Sequence, residues 1–417
     1  MNSVRRTKMA QERICPAVHV ALGLAFLAFL LCAAAGQFLS AQTPATPAQA
    51  TDPDAIQSYL QPLAGNGTFA GAVTLVATKD RIVYLKTTGY RDLAAKAPMP
   101  ENALFWIAST TKPMTATALM MLVDEGKVSL DDPVEKYLPE FKGQMVGARH
   151  PDEAAKSKMP VELVPARHAI RVREILSHTA GLPFRSKAQP GALDLLPLKV
   201  AVQSYAAEPL MFQPGTDYEY SNEGLNTAAR IVEVVSGLSY ERFMQEMLFE
   251  PLGMKDTTFW PSPSQIARLA ESYKLDGNTK TLKEVEISQL TYPHDDRQHR
   301  YPMPAGGLFS TASDVSLFCQ MLLNGGTLNG KRYLSAAAIK QMTTEQNGGL
   351  GSKSYGLALG LDKGTFGHGG AFKNAMEIDP AAGRILIFMV QQDGPWGTPA
   401  GDGIVTTLKG LADKLVQ

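Results

Sequence analysis

The sequence predicts an α+β fold: a central antiparallel sheet flanked by helices, with a mostly helical subdomain beside it. Three observations predict it. Residues 71–76 and 82–85 are β-branched runs separated by Lys79-Asp80, which reads as a hairpin. Residues 355–361, 374–379 and 384–391 are strand-like runs near the other end, followed by a closing helix over 404–416. Between them the apolar residues recur with mostly helical spacing. The simplest arrangement pairs the terminal strands in one sheet.

The 417 residues are 45% hydrophobic and 19% charged, enough core-forming material for one large domain or two closely joined ones. Forty basic residues balance forty acidic ones. That leaves no charge excess to attract nucleic acid or an anionic membrane surface, so no nucleic-acid partner is expected.

At the N-terminus Arg5, Arg6, Lys8 and Arg13 precede an apolar run over 17–35, and Ala33 to Ala35 or Ser40-Ala41 offer cleavage sites. Residues 1–41 therefore read as a signal peptide, or as an anchor if uncleaved, since the run is near the length of a bilayer span. The expected location is periplasmic or secreted, with inner-membrane anchoring through 17–35 as the alternative and the only expected membrane contact. Residues 42–53, rich in Thr, Pro, Ala and Gln, read as a flexible linker, and 54–417 as the folded domain. Cleavage would leave Cys319 as a single thiol, set in an apolar helical run and read as core.

Along the domain, Ser109-Thr110-Thr111-Lys112 opens a segment that reads as a buried helix ending at Gly126, with Pro113 harmless in the opening turn. On such a helix a serine and a lysine three apart lie on one face, so a nucleophile stands beside a possible base. Ser-x-x-Lys also occurs about once by chance in a chain of this length. Residues 141–171 form a polar excursion with no assignment. Then come a turn-rich loop, Leu176-Ser177-His178-Thr179-Ala180-Gly181-Leu182-Pro183, and a segment ending Tyr220-Ser221-Asn222 before a helix over 224–236. Asn222 could be that helix's N-cap. Pro304-Ala305-Gly306-Gly307-Leu308 follows, and Thr311 with Asp314 has capping-box spacing.

No H-x-H or H-E-x-x-H is present, and the nearest metal-like cluster, His294-Asp295-Asp296 with His299, reads more simply as solvated loop. G-x-S-x-G is absent as well. A serine activated by lysine remains, with no metal or cofactor expected.

Taken in order, Ser109-x-x-Lys112, the 176–182 loop, Tyr220-x-Asn222, Pro304-Ala305-Gly306-Gly307-Leu308 and His368-Gly369-Gly370 resemble the serine β-lactamase and penicillin-binding-protein superfamily. The likeness is to the class C branch, with its family VIII esterases and D-alanyl-D-alanine carboxypeptidases, and implies a β-lactamase/transpeptidase-like fold. It also implies that Ser109 forms an acyl-enzyme, that Lys112 and Tyr220 share the base duty, and that Asn222 orients Lys112 and substrate. His368, Gly369 and Gly370 would line the substrate site, with the backbone N–H groups of Ser109 and Ala371 as oxyanion hole. In that likeness His178 is structural rather than a base.

His368 stands where many β-lactamases have lysine, and a histidine supplies a cation only when protonated. Lys373 would either replace that cation or point to solvent. The expectation is an exported serine hydrolase acting on a small-molecule ester, amide or peptide. Esterase activity on small acyl esters ranks first, D-amino-acid peptidase or carboxypeptidase action second, weak β-lactam hydrolysis third. A non-catalytic binding or assembly protein of the same fold is the rival from another class.

Overall fold

A computed structural model describes residues 54–147, 162–189 and 191–417. The proposed signal segment, the linker and residues 148–161 of the unassigned excursion lie outside the described residues. What is described of that excursion includes two short strands, Met145–Gly147 and Leu163–Pro165, paired antiparallel.

The domain opens with helix α1 (Ala55–Gly65) and the expected hairpin, β1 (Gly71–Ala77) and β2 (Ile82–Asp92), with the two-residue β3 (Ala97–Pro98) beside it. The helical middle contains α2 (Thr111–Asp124), α3 (Asn222–Ser236) and α4 (Ala312–Leu323). The chain returns as β4 (Gly360–Asp362), β5 (Thr365–Gly369), β6 (Ala375–Asp379) and β7 (Arg384–Val390), and ends in α5 (Ile404–Val416).

These strands form one seven-stranded antiparallel sheet in the order β4-β5-β6-β7-β1-β2-β3. The first and last long strands meet at its centre, where Leu75 of β1 lies opposite Ile387 of β7 on one side and Leu85 of β2 on the other. Both β1 and β7 are buried along their whole length because helices cover both faces. Ile56, Leu60, Ile404 and Leu408 of α1 and α5 pack with Val76 and Phe388, whereas Phe318 and Cys319 of α4 belong to the main core with Val73 and Ile387. A strand covered on two faces reads as a continuous apolar run, which is the pattern in the sequence.

The strand expected over 355–361 forms only at its end. Tyr355 to Leu359 is irregular, with Ala358 at φ +57° and its N–H donating to the Leu176 carbonyl at 2.9 Å, outside any sheet. The run is apolar because it fills the space between the helices and the sheet. The capping box at α4 is half formed. Thr311 accepts from the Asp314 N–H at 3.2 Å, but the Asp314 carboxylate accepts from the Asp256 N–H at 2.7 Å and the Thr257 hydroxyl at 2.9 Å. Cys319 is buried as core.

Glu223, in the first turn of α3, is 1% exposed, and neither carboxylate oxygen has a hydrogen-bond partner among the described residues. Burial, reinforced by Glu208, pushes its carboxyl up to about 9. An acid whose folded-state pKa is raised binds its proton more tightly when folded, so its favourable contribution is complete below the unfolded value and is lost as pH rises toward 9. Glu223→Gln should therefore stabilise the protein by roughly 3 kcal/mol at pH 7 and little at pH 4, read by urea unfolding at the two pH values.

Candidate active site

Ser109 lies in a 3₁₀ turn, Ala108–Thr110, that runs directly into α2. The turn is held from below. Phe105 and Trp106 pair antiparallel with Ser310 and Phe309, the Ile107 N–H donates to the Leu308 carbonyl at 2.9 Å, and Trp106 packs edge-on to Phe372 at 5.1 Å between ring centroids. Ala108, buried immediately before the serine, takes φ +45°, a conformation that a non-glycine residue adopts only where its surroundings enforce it. The Ser109 hydroxyl is thus presented at the positive end of a helix whose residues 111–122 are all buried.

Lys112, one turn further on, has no exposed surface. Its Nζ lies 3.1 Å from Ser109 Oγ, 2.7 Å from Asn222 Oδ1 and 2.8 Å from the Ala305 carbonyl oxygen, and 4.6 Å from the Tyr220 ring centroid. Burial alone pushes this amine well below the ordinary lysine range. A neutral amine has two N–H donors and one lone pair, and two of its three neighbours here can only accept while the third is a hydroxyl. The surroundings give the neutral form two acceptors for its N–H bonds and a hydroxyl for its lone pair.

The 304–308 motif is placed by the same helix. Ala305 and Pro304 turn their carbonyls toward α2, where they accept from Lys112 and, at 2.6 Å, from the Thr115 hydroxyl. Asn222 is the first residue of α3 rather than its N-cap. Ser221 fills the cap position, accepting from the Gly224 N–H at 3.1 Å, which leaves the Asn222 amide free for Lys112.

Tyr220 sits just ahead of that cap. Its hydroxyl lies 3.4 Å from His368 Nε2, and the Ser109 side chain draws its pKa down against the larger effect of burial. Burial holds the phenol above its ordinary range, the opposite direction from a base that must lose its proton. Phe184, more than a third exposed, stacks on its outer side with centroids 6.2 Å apart.

His368 and Gly369 end β5, one and two residues past the last position paired with β4, so the edge strand stops short of the half-buried His368 and the exposed Gly369. The exposed Ala371 follows. Gly370 brings this segment against the serine turn, since a Cβ there would lie 2.5 Å from the Ile107 carbonyl oxygen. Its glycine is therefore required by the protein's own backbone rather than by approach of a substrate. Ser109 N–H, at the start of a helix, has no intrahelical acceptor, so it and Ala371 N–H can serve one oxyanion. Lys373 does neither of the things expected of it: its ammonium lies over the Trp396 ring, 4.7 Å from the centroid, and is half-buried.

Two contributors were not apparent in the sequence. The Ala305 carbonyl leaves no side-chain trace. Tyr355, buried in the run expected to be a strand, hydrogen-bonds with His368 Nε2 at 3.0 Å and His178 Nε2 at 3.2 Å, and a lone tyrosine in an apolar run was the available signal. His178 is buried, at φ +63°, and accepts from the Ser221 N–H at 3.1 Å. His299 pairs with Asp296 and His294 packs on Phe309. No group of three or more His, Cys, Asp or Glu side chains converges to hold a metal among the described residues.

The sequence model of the Beta-lactamase family matches residues 56–407. Protein Rv1367c of Mycobacterium tuberculosis (strain ATCC 25618 / H37Rv) is 32% identical over 372 residues, covering 81% of this chain and 90% of that protein. An Escherichia coli (strain K12) protein provisionally named a D-alanyl-D-alanine carboxypeptidase is 30% identical over 356 residues, covering 76% of this chain and 77% of its own. Among solved structures, EstCE1, described as a hydrolase with promiscuous acyltransferase activity, superposes with a TM-score of 0.69 at 22% identity, over 87% of this chain and 97% of its own. At that identity the likeness speaks for the fold.

Proposed function

This chain belongs to the β-lactamase family, and from that premise we propose that it is a serine hydrolase cleaving small uncharged acyl esters through an acyl-enzyme on Ser109. The observation that carries the reading is the donor and acceptor set around the buried Lys112. Asn222 Oδ1 and the Ala305 carbonyl take its two N–H bonds, and its lone pair is left for the Ser109 proton.

As Ser109 Oγ bonds to the ester carbonyl carbon, its proton passes to Lys112 Nζ. The oxyanion is met by the N–H groups of Ser109 and Ala371. Collapse of the tetrahedral adduct breaks the bond to the alkoxide, which takes a proton from the Tyr220 hydroxyl, with Lys112 restoring it. Water then repeats the sequence on the acyl-enzyme, its proton leaving through the same pair. Lys112 is the base and Tyr220 the carrier because burial favours a neutral amine and a neutral phenol together.

Preference for an ester over a β-lactam or a peptide ending in a carboxylate is supported by His368. Burial pushes its imidazole well below the ordinary histidine range, so at neutral pH no cation stands where a carboxylate would be held. The basic and apolar N-terminal run supports placing this activity outside the cytoplasm, periplasmic or secreted.

The test is covalent. Folded protein incubated with a fluorophosphonate should carry the adduct on Ser109 by mass spectrometry, and label weakly or not at all with a fluorescent penicillin. In a p-nitrophenyl ester series, short neutral acyl groups should turn over far faster than nitrocefin. Absence of any Ser109 adduct in folded protein favours the non-catalytic reading of the same fold.

A further inference from the structure

Three side chains outside the reacting set form a chain of hydrogen bonds whose direction is set by a single backbone group. The Ser221 N–H donates to His178 Nδ1 at 3.1 Å, so in the neutral ring the proton of His178 is on Nε2. That Nε2–H faces the Tyr355 hydroxyl at 3.2 Å and donates to its oxygen. The Tyr355 proton then has His368 Nε2, 3.0 Å away, as its acceptor, and His368 Nδ1 donates to the Gly369 carbonyl at 2.7 Å. Each bond fixes the next. Tyr355 and His178 are 5% and 1% exposed, so water does not supply alternative partners.

We propose that His178 and Tyr355 are positioning residues that hold His368 as the neutral Nδ1–H tautomer, with its one free lone pair already taken. Two consequences follow. Protonating His368 would leave the buried Tyr355 hydroxyl proton without an acceptor, so the ring is kept from supplying a cation. The Tyr220 hydroxyl, 3.4 Å from the same Nε2, meets an occupied lone pair, and its proton stays available to Ser109 and the leaving group.

The groups that face His368 agree with this. Lys112 on α2 is the amine that faces it and is neutral in this reading, Tyr220 and Tyr355 present hydroxyls, and His178 is itself held neutral by burial. The acid on the neighbouring strand, Glu377 opposite Gly367, is tied to Arg384 and Lys409. The inference rests on the assignment of Ser109 and Tyr220 as reacting groups, but its first readout does not involve turnover.

Full-length protein with ¹⁵N-labelled histidine should show His368 by NMR as protonated at Nδ1 and unprotonated at Nε2, unchanged between pH 8 and pH 5. In Tyr355→Phe, which removes one oxygen, the His368 titration should move up by about one pH unit or more. The freed Nε2 should also capture the Tyr220 proton, lowering kcat on a neutral p-nitrophenyl ester by about tenfold with little change in KM. An Nε2–H tautomer in the wild type overturns the proposal without any variant, as does a Tyr355→Phe protein that loses kcat while His368 titrates as before. If Ser109 takes no fluorophosphonate but the tautomer is as stated, the positioning chain stands and the hydrolase reading falls.

Discussion

Lys112→Met is expected to lower kcat/KM for ester hydrolysis by about three orders of magnitude and to slow fluorophosphonate labelling of Ser109 in parallel. Methionine fills nearly the same volume but offers no lone pair for the serine proton. Lys112→Arg should be nearly as inactive, because a guanidinium keeps its charge throughout the working pH range and cannot act as the base. The pH dependence carries the same information. A lysine whose folded-state pKa is pushed down by burial becomes a base well below the ordinary lysine range, so kcat/KM should rise with pH and level off well short of the pH at which an ordinary lysine loses its proton. A limb that rises only near pH 10 would mean that the amine is charged in the free enzyme, and the donor and acceptor argument around it would fail. Single-turnover acylation followed across pH 5 to 10 measures this.

Asp194→Leu is expected to destabilise the fold by about 3–5 kcal/mol, and the double substitution with Arg300→Met to recover most of the loss. Asp194 and Arg300 are 1% and 2% exposed, with Arg300 Nε donating to Asp194 Oδ2 at 2.7 Å. The guanidinium also donates to the Phe259 and His294 carbonyls, so it ties the 191–194 segment to the loop before residue 303. Burial raises the Asp194 carboxyl above its usual range despite the arginine beside it. The pair therefore adds little net stability as a pair, while a lone buried guanidinium is costly. Urea denaturation of the two single variants and the double variant separates these terms. Equal losses in all three would show that the cost lies in packing rather than in the unpaired charge.

The sheet was legible in the sequence because its central strands are long, β-branched and bounded by turns. Helix α2 was legible because Gly126, at φ +70°, stops a run that is apolar on most sides. Residues 355–359 were misread for a physical reason: burial on all sides produces the same apolar composition whether or not the backbone joins a ladder. Asn222 was open to a capping role because cap preference is shared by Ser and Asn, and only the structure shows that Ser221 takes it. Of the groups around Ser109, those acting through side chains in recognisable motifs could be named in advance. The Ala305 carbonyl could not be named, since any residue supplies one, and the part played by Tyr355 depends on a bridge between two histidines far apart in sequence.

The pairing of β1 with β7 has a consequence for how the protein comes into being. The strand that follows α1 finds its second partner only near the end of the chain, and the Ile107 carbonyl meets Gly370 only after β5 has turned back toward it. During synthesis the helical middle can collapse first, through local contacts, while β1 and β2 wait with an unpaired edge. Ribosome-bound or C-terminally truncated chains can hold the Ser109-x-x-Lys112 turn and still lack Gly370, which packs against it. On the hydrolase reading, the site is complete only once the last strands of the polypeptide are in place.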